Sequence, residues 1–152
     1  MIYLDDLQPG MVFELGSVSV TREESLDFAR RYDPQPIHVD EQAASASIYG
    51  GLISSGWLTV SLAMRRIVDG FLGRAASLGS PAMDEVRWLR PVRPGDTLSC
   101  RAEILEVTPS RSKPERGIAR VRYEALNQHG EPVLRMTGVQ MLARREAGSR
   151  GD

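Results

Sequence analysis

The densest group of reactive side chains in this sequence lies in one proline-containing segment, Tyr32-Asp33-Pro34-Gln35-Pro36-Ile37-His38-Val39-Asp40. It holds one of the two histidines of the chain, with one carboxylate five residues before it and another two residues after it. Histidine exchanges a proton near neutral pH, and an aspartate can orient the imidazole or act as a second base. The prolines restrict the backbone between Asp33 and His38, as a general acid-base pair requires. The alternative is structural: His38 bonds a loop carbonyl group and Asp33 caps the following helix.

A second candidate feature is the start of a predicted helix at Gly56. The segment 57–72 is apolar on almost all sides for its first two turns, which is typical of a helix enclosed by other structure. The first N–H groups of a helix lack partners within the helix and carry partial positive charge. Because glycine has no side chain, a ligand oxygen could approach the Gly56 amide, which would then stabilise charge on a carbonyl oxygen. The structural alternative is that Gly56 only lets the helix pack closely under a sheet.

Capping and periodicity predict the elements that must position these residues. Thr21 and Glu24 form the pattern of a capping box, so a helix begins there and ends before Pro34. Partial alternation of apolar residues predicts five strands, at 11–20, 82–88, 97–107, 118–126 and 133–143, the last with Val133, Val139 and Met141 as its apolar positions. Helices followed by a run of antiparallel strands indicate the α+β class. We expect a curved antiparallel sheet wrapped around a long central helix at about 56–72.

Composition and charge exclude several classes of protein. The 152 residues include 19 basic and 20 acidic side chains, a balance that argues against nucleic-acid binding. Cys100 is the only cysteine and the chain has two histidines, so no disulfide and no zinc site are expected. No apolar stretch is long enough to span a membrane, and the N-terminus lacks a signal-peptide pattern. We therefore expect a cytoplasmic protein, with a single domain at 1–146 and a disordered polar tail at 147–152.

Three segments together resemble the MaoC-like dehydratase family, the hot-dog-fold enoyl-CoA hydratases specific for (R)-3-hydroxyacyl-CoA. They are the segment 33–40, Ser55-Gly56 at the start of the long helix, and Arg87-Trp88-Leu89-Arg90-Pro91-Val92-Arg93-Pro94-Gly95-Asp96-Thr97-Leu98. The resemblance covers roughly residues 7–144 and implies the hot-dog fold. It implies that Asp33 and His38 activate the water that adds to carbon 3 of a trans-2-enoyl-CoA, and that Gly56 donates its amide to the thioester oxygen. No cofactor is implied, since the thioester itself acidifies the proton at carbon 2.

Some positions depart from the family pattern. Ser55 stands where the family commonly has histidine, Gln35 where many members have asparagine, and Met64 where some (R)-hydratases have serine. The basic loop 110–116 could meet phosphates, although a solvated hairpin is the simpler interpretation. The residues expected to bind the acyl-CoA substrate are Ser55, Trp57, Gln35, Arg111 and Lys113.

The resemblance also implies a homodimer or a higher oligomer of dimers, because sheets of this fold usually pair edge to edge. Two rival functions stay open beside the hydratase. A hot-dog acyl-CoA thioesterase would need a carboxylate at the thioester carbon. In a non-catalytic acyl-CoA-binding or partner subunit, the Asp33–His38 pair would be structural.

Overall fold

The computed structural model describes residues 1–146, and the predicted tail at 147–152 lies outside the described residues. Strand β1 (Val12–Ser19) leads into helix α1 (Arg22–Tyr32), and two short helices follow, α2 (Pro36–Val39) and α3 (Glu41–Ser45). The long helix α4 (Gly56–Gly70) precedes a run of four strands, β2 (Ser77–Trp88), β3 (Thr97–Pro109), β4 (Arg116–Leu126) and β5 (Pro132–Ala143). This order of elements confirms the predicted α+β class.

Within residues 1–146 the strands form one antiparallel sheet in the order β1-β3-β4-β5-β2. Ala102 of β3 pairs with Phe13 of β1 and with Tyr123 of β4, and Tyr123 pairs in turn with Met136 of β5. The sheet packs on one face of α4, and both contribute to a single apolar core that includes Leu58, Leu62, Ile67, Leu98, Ile104 and Val121. The predicted hot-dog fold, a sheet wrapped around a central helix, is confirmed.

The helices before α4 hold the segment 33–40 close to the beginning of α4. The Thr21 hydroxyl oxygen accepts a hydrogen bond from the Glu24 amide at 3.2 Å and caps α1, so this half of the predicted capping box is present. Asp40 caps α3, because its carboxylate accepts from the amides of the second and third residues after it, Gln42 and Ala43. The Ile53 amide donates to the Ile37 carbonyl at 3.2 Å, which ties α2 to the chain entering α4.

One face of α4 is not covered by the described part of the chain. Leu58, Leu62 and Ile67 are buried, but Trp57 is 57% exposed and Met64 is 44% exposed. The prediction of a helix enclosed on all sides is therefore wrong for the single chain. The physical reason is that a cleft separates this face from β2, which is itself exposed along most of its length.

The phase of β5 also differs from the prediction. Its buried positions are Val133, Leu134 and then every second residue from Met136 to Leu142, whereas Val139 and Met141 are only partly buried. The strand itself is where the sequence places it. Apolar residues occur on both faces of β5, so the alternation alone does not distinguish the inner face from the outer one.

Candidate active site

His38 and Asp33 face each other, as their short proline-stiffened separation predicts. The Nε2 atom of His38, a residue only 6% exposed, lies 3.3 Å from Oδ2 of Asp33. The other ring nitrogen, Nδ1, lies 2.8 Å from the carbonyl oxygen of Ile53. A carbonyl oxygen only accepts hydrogen bonds, so Nδ1 carries a proton and Nε2 is the atom left to exchange one. His38 thus bonds a loop carbonyl, as the structural alternative expects, and also faces the carboxylate.

The Asp33 carboxylate is held by neutral donors as well as by His38. Its Oδ1 atom accepts from Gln35 Nε2 at 2.7 Å, and its Oδ2 atom accepts from the Ser55 hydroxyl at 2.7 Å. Burial raises the pKa of Asp33, but the bonds from Gln35 and Ser55 and the charge of His38 together lower it below the usual value. Asp33 is therefore a carboxylate at neutral pH. It does not cap α2, whose N-cap residue is Gln35, so that part of the structural alternative is wrong.

Removing one of these donors is expected to move the Asp33 pKa upward. In Gln35→Ala the carboxylate loses a hydrogen bond that favours its charged form, so the midpoint of its titration shifts to higher pH. Carboxyl carbon NMR titration of the labelled protein measures this midpoint directly. The matched control is Gln128→Ala, which removes a similar glutamine-to-aspartate bond, to Asp96, and leaves the Asp33 titration in place. An unchanged midpoint in Gln35→Ala would contradict this account of the site.

The first turn of α4 presents an unpaired amide beside the acid-base pair. Ser55 is the N-cap residue; its hydroxyl accepts from the Trp57 amide at 3.3 Å and donates to Asp33, so it links the carboxylate to the helix. Within residues 1–146 the amide of Gly56 has no hydrogen-bond partner. An amide at this position combines a free donor with the positive end of the helix dipole.

Trp88 closes over Gly56 from the sheet. Its indole Nε1 donates to the Gly56 carbonyl oxygen at 2.8 Å, and its ring contacts Trp57 edge to face. A Cβ atom at position 56 would lie 2.5 Å from Nε1, closer than any real contact, so only glycine fits under the indole. The close packing expected of Gly56 and its unpaired amide are therefore both present.

These groups meet in one cavity of about 380 Å³. Its lining includes Asp33, Gln35, His38, Gly56 and Trp57. The end of β2 and the residues after it also line the cavity, namely Trp88, Leu89, Arg90, Pro91 and Val92. The cavity therefore combines an acid-base pair, a free amide donor and an apolar wall, which is the arrangement needed to hold a polarised carbonyl compound beside an activated water.

Trp88 and Arg90 are among the cavity residues that were given no individual role from the sequence. Trp88 positions the backbone of Gly56, and Arg90 stands at the wall of the cavity in an ion pair with Glu131 at 3.0 Å. The only signal for them was their place in the third segment of the family resemblance. No local pattern indicates that Trp88 reaches a residue 32 positions earlier in the chain.

The structure does not bring Arg111 and Lys113 to this cavity within one chain. Both are exposed in the loop between β3 and β4. The cavity lies beside the residues that precede β3, whereas the loop follows the last residue of that strand. A strand of this length separates its two ends by up to roughly 40 Å. The simpler interpretation, a solvated hairpin, describes the single chain.

The remaining reactive groups of the described chain form no second cluster. Cys100 is buried in β3, where burial raises the pKa of its thiol to about 11 despite the opposing charge of Arg66, so it is not a thiolate nucleophile. His129 is exposed in the turn before β5. Among residues 1–146 no group of three or more histidine, cysteine or acidic side chains could hold a metal ion, and none of the helices could span a membrane.

The chain is similar to several known proteins. The family model described as MaoC like domain matches residues 6–125. The uncharacterized protein YdeM of Bacillus subtilis is 35% identical over 126 residues, which is 82% of this chain and 87% of that protein. The crystal structure of a MaoC-like dehydratase from Rhodospirillum rubrum is 38% identical, with a TM-score of 0.91 over 97% of this chain and 100% of that one.

A third relative is larger than this chain. Mesaconyl-CoA hydratase of Cereibacter sphaeroides is 30% identical over 123 residues, which is 81% of this chain but 31% of that enzyme. The similarity therefore concerns about a third of the relative's length.

Proposed function

The chain belongs to the MaoC-like domain family, and from that premise we propose that it catalyses the reversible hydration of a trans-2-enoyl-CoA to a (R)-3-hydroxyacyl-CoA. One observation carries the proposal: Asp33, His38 and the unpaired amide of Gly56 belong to the same cavity. The names of two relatives, a MaoC-like dehydratase and mesaconyl-CoA hydratase, support the reaction class.

In the proposed reaction a water molecule binds between the Asp33 carboxylate and Nε2 of His38. The pair takes a proton from the water while its oxygen bonds to carbon 3, and the π electrons of the C2–C3 double bond move to the thioester carbonyl. The Gly56 amide donates to the resulting enolate oxygen. The pair then delivers a proton to carbon 2, so one molecule of water is added in total and no electron acceptor is needed.

The expected contributions of these groups are large. A positioned general acid-base group contributes roughly 10²–10⁴-fold to the rate. An oxyanion donor contributes about 3–4 kcal/mol of transition-state stabilisation. Ser55 and Gln35 act in the proposal as positioning residues, because they hold Asp33 in its charged form beside His38. Trp57 lines the cavity and is proposed to contact the substrate.

The acyl chain of the substrate has an apolar path next to the cavity. Trp57 also lines a second cleft, of about 390 Å³, between α4 and the strands β2, β4 and β5. We call it the acyl cleft; its walls include Val60, Met64, Ile67, Met83, Val86, Tyr123, Met136 and Gln140. Such a cleft favours an apolar chain, because burial of its methylene groups is favourable by about 0.8 kcal/mol each.

A hydration assay tests the proposed function. The protein is mixed with crotonyl-CoA or longer trans-2-enoyl-CoA esters, and the loss of the conjugated double bond is followed by absorbance. We expect saturable turnover and, by chiral chromatography, an (R)-3-hydroxyacyl product. Release of free CoA instead would favour a thioesterase, and binding of the esters without turnover would favour a non-catalytic subunit; either result contradicts the proposal.

We further propose that two chains associate through β2. Among the described residues β5 is its only neighbour in the sheet, so its other edge has unpaired backbone groups. The strand also exposes Leu78, Met83 and Trp88. Exposed apolar edge strands readily pair with another strand, and a second chain here would also cover the open face of α4.

Leu78→Lys is accordingly expected to weaken the association of the chains. Light scattering should give at least twice the mass of one chain for the unchanged protein, and a lower mass at the same concentration for the variant. Val12→Lys is the matched control, because Val12 is an exposed apolar residue on β1, the opposite edge of the sheet. A monomeric unchanged protein, or equal effects of both lysines, would rule out pairing through β2.

A further inference from the structure

The acyl cleft continues into a second apolar cleft along α4. This distal cleft, of about 610 Å³, is lined by Met64 and Val68 on the helix and by residues 79–83 on β2. Met64 and Met83 each line both clefts, so they lie where the two clefts meet. Trp57 in turn lines both the acyl cleft and the candidate active site. The three cavities therefore follow one another along the molecule.

The direction of these clefts follows from the spacing of their residues on α4. Met64 lies two turns after Trp57, and Val68 lies one turn further on, so the three side chains share one face of the helix. All three are exposed apolar residues. Because a helix rises by about 1.5 Å per residue, Met64 lies roughly 12 Å and Val68 roughly 18 Å along the axis from Gly56. The clefts thus extend along α4 away from the candidate active site.

The walls of both clefts favour a hydrocarbon ligand. None of the described residues that line either cleft is charged. Transfer of methylene groups from water to such a surface is favourable. Met64 and Met83 have unbranched, flexible side chains that can adapt to an apolar chain lying between them.

The length of the clefts sets the length of the chain that would occupy them. A C–C single bond is about 1.5 Å long, so an extended hydrocarbon chain advances by roughly 1.3 Å per carbon. If the thioester lies at Gly56, an acyl chain of roughly 10 carbons reaches Met64 and one of roughly 14 carbons reaches Val68. Shorter chains end within the acyl cleft and leave the distal cleft without a ligand.

We propose that the substrate is the CoA ester of a long acyl chain, of about 12–16 carbons, whose end lies in the distal cleft. This inference rests on the proposed function, because the distal cleft is connected to the candidate active site through the acyl cleft. The second chain proposed to pair with the edge of β2 would close the open side of the clefts over the acyl chain. Burial between the two chains would then remove the whole acyl chain from water.

A series of esters of increasing chain length tests the inference. Calorimetry with saturated acyl-CoA esters, each below the concentration at which it forms micelles, measures binding without turnover, and the trans-2-enoyl esters give kcat/KM. We expect binding to tighten by roughly tenfold for every two methylene groups, and both quantities to keep rising beyond eight carbons. A maximum at eight carbons or fewer in both measurements would overturn the inference.

Two variants that fill the distal cleft test its role directly. Val68→Trp fills the cleft from the helix, and Ala82→Phe narrows it from β2. Both positions are exposed, so both variants should fold, which thermal unfolding checks. The preference for a chain of fourteen carbons over one of eight should fall by roughly tenfold or more in each variant, in binding and in kcat/KM.

Val12→Trp is the matched control, because it places the same side chain at an exposed valine on β1, and it should keep the preference of the unchanged protein. An unchanged preference in both folded variants would mean that the distal cleft holds no acyl chain and is filled by the second protein chain. That result would also overturn the inference.

Failure of the proposed function gives a different result. Tighter binding of the long saturated esters, without hydration of any enoyl ester, would contradict the hydratase and leave the chain-length selectivity intact. Hydration that is fastest with chains of eight carbons or fewer would contradict the selectivity and leave the hydratase intact. Failure to bind any acyl-CoA ester would contradict both.

Discussion

His38→Asn is expected to lower kcat for hydration of a trans-2-enoyl-CoA by about 10²–10⁴-fold, and Asp33→Asn by a similar factor. Each change removes one of the two groups that, in the proposed mechanism, exchange a proton with water and with carbon 2. The asparagine at 38 retains an N–H group able to bond the Ile53 carbonyl, so the fold around the site should be kept. Steady-state kinetics with the best enoyl-CoA substrate, together with thermal unfolding of each variant, provides the measurement.

The double variant and a neighbouring carboxylate serve as controls. If the two residues work as one unit, the double variant loses little more activity than the more damaging single change. Asp40→Asn removes the other carboxylate of the same segment, which caps α3, and asparagine is an equally good cap. Its kcat should match that of the unchanged protein. Turnover near the original rate in either His38→Asn or Asp33→Asn would remove the acid-base pair from the mechanism.

Gly56→Ala is expected to lower kcat by up to about 10²–10³-fold, the loss seen when an oxyanion cannot reach its donor, because alanine keeps the amide N–H but obstructs the approach to it. The new methyl group would lie 2.5 Å from Nε1 of Trp88, so the indole has to leave its place and its bond to the Gly56 carbonyl is lost. The displaced indole and the methyl group then obstruct the approach of the thioester oxygen to the amide. The loss should appear in kcat as well as in kcat/KM.

Gly70→Ala provides a matched control at the other end of α4. A Cβ atom there would lie 2.8 Å from Cδ2 of Leu15, so this change also forces a tight contact, but far from the cavity. It should destabilise the fold by about 1–3 kcal/mol and leave kcat of the folded protein unchanged. If the two alanine variants lost activity equally, the effect at Gly56 would be one of packing only.

Local signals in the sequence were sufficient for much of the fold. The Thr21 cap and the prolines after Asp33 define the bounds of α1, and Ser55 followed by Gly56 marks the beginning of α4. The first half of β2 was missed, because a segment that contains Gly79 and Pro81 resembles a turn. It is a strand because β5 supplies backbone partners, while Gly79, with φ of 103°, takes up a break in the register.

The candidate site was predictable only where its residues are close in sequence. Asp33 and His38 are held together by a short stiff segment, so their contact follows from the local chain. The bond from Ser55 to Asp33 spans 22 residues, and the bond from Trp88 to Gly56 spans 32. Such contacts depend on how α4 enters the sheet, which no local pattern encodes. The burial of Gln140 could not be predicted either, because the packing of β5 alone shows which of its faces is the inner one.

The central claim is that the thioester of the substrate lies between the Gly56 amide and the Asp33–His38 pair. The most direct measurement is a crystal structure of the protein with a saturated acyl-CoA, which cannot be hydrated. We predict a thioester oxygen about 2.7–3.1 Å from the Gly56 nitrogen, with carbon 3 facing Nε2 of His38 and the Asp33 carboxylate. A thioester bound outside this cavity, or one whose oxygen points away from Gly56, would contradict the account.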